Sequence, residues 1–425
     1  MSREIPKGWF NGCLEDVVAT ISPGVSVNSE GREKVAGEIG IIKKSCVTTG
    51  VFRPNEHKVV ISTEIERVAE SVERDSVIVS RMNTPDLVGA SAYICHSYSD
   101  LFLPDRLWQV RPSKKATGRW LSFVIGSPAM RARLKAIASG TSNSMKNISQ
   151  DSFLGLPVRV PPIDEQRRIA AVLETWDLAV EQTERLIAAE SERQSLLLEH
   201  LFTGRQFGQT EGTRYQRLPL GEISNCYSGG TPDRGDVEYF GGGIPWVKSG
   251  EVVSSNIIAT EETLSERGLT SSSAKWVPAG STLVAMYGAN AGQVGRLGVD
   301  ATTNQAILAV VPCREIVTPE YLYHSIINTI PSLMRKVQGS GQPNLSAGIV
   351  KDEKILVPDV YDQIKISKVA TALETSIQLL EATRAKLLNQ KRGLMQKLLT
   401  GAWRLDERFD PEAKTPPTSK AGARS

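Results

Sequence analysis

Val158-Arg159-Val160-Pro161-Pro162-Ile163-Asp164-Glu165-Gln166-Arg167-Arg168-Ile169-Ala170 has a second copy downstream in Ile355-Leu356-Val357-Pro358-Asp359-Val360-Tyr361-Asp362-Gln363-Ile364-Lys365-Ile366. The offset is 197 residues. It also relates Asn147-Ile148-Ser149 to Asn344-Leu345-Ser346 and Leu201-Phe202-Thr203-Gly204 to Leu398-Leu399-Thr400-Gly401, so the register runs without a gap from Asn147 to Gly204. Upstream the likeness is looser but in the same order. Gly40-Ile41-Ile42-Lys43-Lys44-Ser45 resembles Gly243-Ile244-Pro245-Trp246-Val247-Lys248-Ser249, and Asp75 to Val79 resembles Gly280 to Val284. A period this long excludes a solenoid and predicts a duplicated two-part module, each half a variable α/β segment followed by a long helix.

Each copy of the repeat opens a run with apolar residues alternately four and three apart, the mark of a helix-pair seam. The first seam is Ile169, Leu173, Trp176, Val180, Thr183, Ile187, Glu190, Gln194, Leu197 and Leu201. The second is Ile366, Ala370, Leu373, Ile377, Leu380, Arg384, Leu387, Lys391, Leu394 and Leu398. Proline precedes each run and glycine closes it, as helix boundaries require. A helix from Asp164 to Thr203 would extend about 60 Å and could not stand alone. Residues 161–204 carry 4 basic and 9 acidic side chains, residues 358–404 carry 8 and 4. Opposite charge predicts that the two helices pair with each other, antiparallel, with the halves related by a pseudo-two-fold.

The variable segments read as strands at Asp75–Arg81, Leu107–Val110, Ser281–Tyr287 and Ala306–Val311, with helices at Trp120–Ala138 and Pro319–Val337 broken near Pro128 and Pro331. The organisation expected is thus an α/β segment over 1–160, a helix over 161–204, a linker over 205–214, an α/β segment over 215–357, a helix over 358–404 and a disordered tail over 405–425.

The 425 residues include 50 basic and 47 acidic side chains and 40% hydrophobic residues, the balance of a soluble multidomain protein. No apolar stretch reaches the length of a membrane span and the first twenty residues do not read as a secretory signal, so a cytoplasmic location is expected. Cys13, Cys46, Cys95, Cys226 and Cys313 are odd in number and scattered, which argues for buried free thiols rather than disulfides. Phosphate-binding, dinucleotide, nucleophile-elbow and metalloprotease motifs are missing. His57, His96, His200 and His324 are isolated, so no metal site is expected. Asp352-Glu353-Lys354 lacks an acidic partner for nuclease chemistry, and the chain reads as non-catalytic with no cofactor of its own.

Charge is distributed unevenly: residues 1–160 hold 21 basic and 16 acidic side chains, residues 205–357 hold 13 and 14. Phosphate binding needs only local positive charge, and amides and hydroxyls can reach base edges. Candidate contacts in the first half are Lys43, Lys44, Arg81, Asn83 and Thr84, with Ser142, Asn143, Ser144, Lys146 and Asn147. In the second half they are Lys248, Ser249, Tyr287, Asn290, Ser340, Gln342 and Asn344.

These residues together resemble the specificity subunit of type I restriction-modification enzymes, over nearly the whole chain. The likeness rests on the Pro-x-x-x-x-Gln helix opening from Pro161 to Gln166, the ending Leu201-Phe202-Thr203-Gly204, and their second copies from Pro358 to Gln363 and from Lys391 to Gly401. The second opening departs from the family pattern in Asp359-Val360-Tyr361-Asp362, where a second proline and a glutamate are usual. Pro6-Lys7-Gly8-Trp9 and Tyr215–Ile223 resemble the start of each recognition domain.

The resemblance implies target recognition domains at 1–160 and 215–357, each reading one half of a bipartite, asymmetric site in double-stranded DNA. The helix pair would set the spacer and dock two methyltransferase subunits. Restriction subunits would join the full complex, with S-adenosylmethionine and ATP held by those partners. A methylation-only system and a coiled-coil scaffold without a nucleic-acid role are the alternatives.

Overall fold

The computed structural model describes residues 5–140, 145–203, 215–252, 256–337 and 344–409. The linker expected over 205–214 and most of the expected tail lie outside them. The tail's first residues do not: Leu405 packs on a hydrophobic core and Glu407–Phe409 forms a 3-10 turn. Two compact units emerge, one of residues 1–184 with 383–425, the other of residues 185–382. Both boundaries fall inside the long helices, so each helix contributes one portion to each unit.

Unit 1 carries a four-stranded antiparallel sheet in the order Val18–Pro23, Leu107–Pro112, Ser76–Ser80, Ser91–Ile94. A second, mixed sheet runs Ser29–Glu30, His57–Val60, Gly40–Ile42, Tyr98–Phe102, Ser71–Val72, with Gly40–Ile42 and Tyr98–Phe102 parallel. Unit 2 repeats both. Ser224–Ser228, Ile307–Pro312, Thr282–Ala285 and Val294–Leu297 take the places of the first four strands, and Phe240–Val247 lies parallel to Ala301–Thr303 in the mixed sheet. An antiparallel ribbon closes each unit: Phe10–Cys13 on Pro157–Val160, and Gln216–Pro219 on Lys354–Val357. The turn into the central strand needs left-handed backbone in both units. Gly280 supplies it at φ +87°, and Asp75, a residue type that tolerates this region, at φ +56°.

The break expected at Pro128 is present: one helix ends at Gly126, and Ser127 caps the next, Pro128–Ile137, by accepting from the Met130 N–H. Pro331 breaks nothing. Pro319–Val337 is one helix, because Ile326, Ile330 and Leu333 on one face are buried in the unit 2 core and hold it continuous across the missing hydrogen bond. The cysteines also differ from expectation in part. Cys46 and Cys226 are buried and Cys13 is partly so, but Cys95 and Cys313 are exposed.

The long helices span Ile163–Thr203 and Val360–Leu399. Every expected seam position is buried or half-buried, including Ile169, Leu173, Trp176, Val180, Ile187, Leu197 and Leu201 in the first, and Leu373, Ile377, Leu380, Leu387, Leu394 and Leu398 in the second. Leu178, Leu186, Leu196, Leu379 and Leu388 fall off the seam and are exposed. The helices pair antiparallel. In unit 1 Arg404 meets Glu165 at 2.7 Å, Lys391 meets Asp177, and Arg384 meets Glu184 at 2.8 Å, so the partner number falls as the position along the first helix rises. In unit 2 Leu198, Leu201 and Phe202 share one core with Ile366 and Ala370.

The glutamine of each repeat explains why the helix starts stay attached to their units. Gln166 is fully buried; its Oε1 accepts from the Thr117 N–H at 2.9 Å, and its Nε2 donates to the carbonyls of Lys115 (2.8 Å) and Pro161 (3.0 Å). Gln363 makes the same set with the Thr318 N–H (2.8 Å), Ile316 O (2.9 Å) and Pro358 O (2.9 Å). Each clamps three backbone groups that burial would otherwise leave unpaired. Where the second opening lacks its proline, Asp359 caps the helix by accepting from the Asp362 N–H at 2.9 Å.

Candidate nucleic-acid interface

In unit 1 the strand Ser76–Ser80 runs out into Arg81, whose N–H donates to Arg106 O (3.1 Å) and whose carbonyl accepts from the Ile148 N–H (2.9 Å). Met82–Asn83 then pairs with Lys146–Asn147. These bonds bring together, at one edge, candidate segments that lie far apart in sequence. Lys43 precedes the 3-10 turn Lys44–Val47 that follows the strand Gly40–Ile42.

The side chains at this edge divide into those that build the loop and those left over. Asn83 is buried, with its Nδ2 donating to Ser80 Oγ (3.1 Å) and its Oδ1 accepting from the Thr84 N–H (2.9 Å), so its amide shapes the turn and Thr84 is the exposed residue. Asn147 exchanges backbone hydrogen bonds with Ser139, and its side-chain oxygen has no partner among the described residues. Lys146 Nζ donates to Gly140 O at 2.9 Å. Lys43 lies 3.9 Å from Glu56. Burial, and then the charge of Arg106, hold the Lys44 ammonium below its ordinary pKa. Ser142, Asn143 and Ser144 lie outside the described residues.

Unit 2 repeats the backbone pattern. The Met286 N–H donates to Ala306 O (2.8 Å), and Met286 O accepts from the Leu345 N–H (2.9 Å). Tyr287 follows, exposed, and then the turn Gly288–Asn290. The Lys248 N–H donates to Glu251 Oε2 (2.8 Å) at the start of the turn Ser249–Glu251, and a Cβ added to Gly250 would come 3.9 Å from Asn290 Nδ2, so these two loops adjoin. Asn344 is exposed beside Leu345; Ser340 and Gln342 lie outside the described residues. Lys248 is engaged: Glu261 and Glu262 approach its Nζ at 2.8 and 2.9 Å and raise its pKa.

The hydrogen bonds also correct the sequence register. Val25 N–H donates to Leu103 O as Gly230 N–H does to Thr303 O, which makes Ile42 equivalent to Val247 and Lys43, not Lys44, equivalent to Lys248. Arg81 then corresponds to Met286 and Arg106 to Ala306. Nothing in the sequence singles out Arg106, because its turn between two strands carries no repeated residue; the bond to Arg81 draws it to the edge.

Fold and edges together define a class: a duplicated α/β module, each unit of which includes a portion of two long, antiparallel helices. The sequence signature of the type I restriction modification DNA specificity domain matches twice, over residues 6–190 and 214–389. The chain belongs to that family, whose members confer DNA specificity and are not themselves catalytic.

Over 162 residues it is 28% identical to the EcoR124I/EcoR124II specificity subunit of Escherichia coli, a match covering 37% of this chain and 40% of that protein. A match to the EcoEI specificity subunit covers 34% of that protein, so the chain spans well under half the length of these two relatives. The MjaX specificity subunit sequence of Methanocaldococcus jannaschii is 20% identical over 428 residues, 95% of each chain. The type I restriction-modification S subunit from M. genitalium has the same fold, with a TM-score of 0.60 at 14% identity over 94% of this chain and 97% of that one. Among the described residues no helix is long and apolar enough to cross a membrane.

Proposed function

We propose that this chain is the DNA-reading specificity subunit of a type I restriction-modification complex, each unit recognising one half of a bipartite, asymmetric site in double-stranded DNA. The observation that carries this reading is the recurrence of one edge in both units, made of three separate loops joined by the same backbone hydrogen bonds but lined by different side chains. A shared scaffold with divergent lining is what two readers of different half-sites require.

The helix pair sets the spacer, as half-site separation is set by geometry in dimeric readers. It also docks two methyltransferase subunits, and restriction subunits join the full complex. S-adenosylmethionine and ATP are held by these partners, and this chain contributes no catalytic group. The test is co-expression with the methyltransferase subunit encoded beside it, followed by mapping of modified bases in host DNA. A two-part motif with a fixed gap, lost when this chain is omitted, is the expected result. A soluble complex that leaves no modified motif and binds no duplex would overturn the reading.

A further inference from the structure

At the three equivalent positions of the two edges, cations face uncharged residues. Lys44, Arg81 and Arg106 in unit 1 correspond to Ser249, Met286 and Ala306 in unit 2. Among the described residues no carboxylate lies within salt-bridge distance of Lys44, Arg81 or Arg106. Glu56 is turned to Lys43 and Ser45, and Arg81 Nε donates to the Asp105 carbonyl at 2.8 Å rather than to a carboxylate. Lys146, on the strand paired with Asn83, likewise ends on a carbonyl.

Three cations of unit 2 are differently placed. Lys248 is held by Glu261 and Glu262, Arg234 by Glu262, and Arg267 by Asp236 and Glu238. Three like charges at one edge, without a counter-ion, repel one another in the free protein, and an anion seated among them relieves that repulsion. Burial first, and then the charge of Arg106, lower the pKa of the Lys44 ammonium.

We propose that unit 1 alone supplies the electrostatic anchor to DNA: Lys44, Arg81 and Arg106 form a phosphate-binding triad, while unit 2 engages its half-site through the uncharged Ser249, Tyr287, Asn290 and Asn344. This rests on the DNA-reading function proposed above and adds an asymmetry to it. Phosphate contacts release counter-ions and make affinity fall with salt, whereas hydrogen bonds and stacking on an exposed aromatic do so far less. The salt dependence of binding therefore originates in one half of the molecule.

The experiment is fluorescence anisotropy of the full chain on a mixed-sequence DNA duplex across a potassium chloride series, with folding checked by thermal melting. Lys44→Gln combined with Arg106→Gln lowers the slope of log K against log salt by about 2, near 0.9 for each lost phosphate contact. Lys248→Gln leaves the slope unchanged. The converse pair, Ser249→Lys with Ala306→Arg, raises it by a similar amount. If the wild type binds duplex but the unit 1 pair leaves its slope intact, or Lys248→Gln lowers it equally, the asymmetry is overturned and DNA reading survives. If the wild type does not bind duplex at any salt, the DNA reading itself falls and takes this inference with it. Displacement of duplex by inorganic phosphate at constant ionic strength would assign the triad to a small anion instead.

Discussion

Gln166 and Gln363 make the same three hydrogen bonds, to the same classes of backbone group, in two units that otherwise share little sequence. At the far edge of the same units, equivalent positions hold Arg81 and Arg106 in one and Met286 and Ala306 in the other. The clamp is buried and has one solution, since three backbone groups must be satisfied without water. The edge is solvated, so its side chains can change without loss of the fold. The duplication has kept what holds a unit to its helix and varied what the unit presents.

The largest effect is expected at the helix seam, common to both units. Ile377→Asp places a carboxylate among Leu373, Leu380 and their partners without a cation, and should cost about 4 kcal/mol. Urea denaturation reads the loss; stability within 1 kcal/mol of wild type, by the size of ordinary surface effects, would mean the seam is not what joins the helices.

The clamps come next. Gln166→Ala and Gln363→Ala each orphan a buried N–H and two carbonyls, and each should cost about 3 kcal/mol. Near-equal losses in chemical denaturation support equivalent clamps; a loss at one site only would end the equivalence.

A sharper difference lies behind the edges. His324 is buried in unit 2 with its Nε2 2.9 Å from Thr371 Oγ1; unit 1 has the apolar Phe123, six residues after the clamped Thr117 as His324 is after Thr318. Burial, and then the charge of Arg296, push its pKa down to about 4. The unfolded chain takes up this proton near pH 6.5 and the folded chain does not until about pH 4. Stability contributed above the unfolded value is therefore lost as pH falls through that window, by about 3 kcal/mol. His324→Phe should flatten the dependence in thermal melts at pH 7 and pH 4.5; an unchanged slope would place the acid sensitivity elsewhere.

The smallest effect separates the two openings. Trp9 Nε1 and Arg404 both donate to the buried Glu165, whereas Asp362, its equivalent, accepts from Tyr215 Oη at 2.9 Å. Tyr215→Phe should cost about 1 kcal/mol, the ordinary net worth of one hydrogen bond. A loss of several times that would show the second opening to be as tightly held as the first.

The helix pair was legible in the sequence because an a/d pattern survives over ten positions in each copy and opposite net charges identify the partner. Residues such as Glu190, Gln194, Arg384 and Lys391 fit the seam by spacing despite being polar, since long side chains can cover an apolar groove with their stems. The strands at Ser76–Ser80 and Thr282–Ala285 were equally visible as short apolar runs. The continuity of Pro319–Val337 was not, because a proline's local cost is outweighed only by core contacts that no local pattern reveals.

The candidate edges were legible in part. Lys44, Arg81, Lys146, Tyr287 and Asn344 could be singled out by residue type, but type does not say whether a group is free. Lys248 and Asn83 look like Lys44 and Thr84 on paper; the structure gives the first to two glutamates and the second to its own turn.

Sequence alone thus determined the duplication, the two long helices, the seam and the glutamine at each helix start, all of which leave a periodic or repeated trace along the chain. Which of the described cations lack a counter-ion, and that Arg106 stands beside Arg81, emerge from the folded chain. Those facts depend on neighbours brought together across the sheet edge, and electrostatic pairing follows distance in space, which neither spacing nor composition encodes.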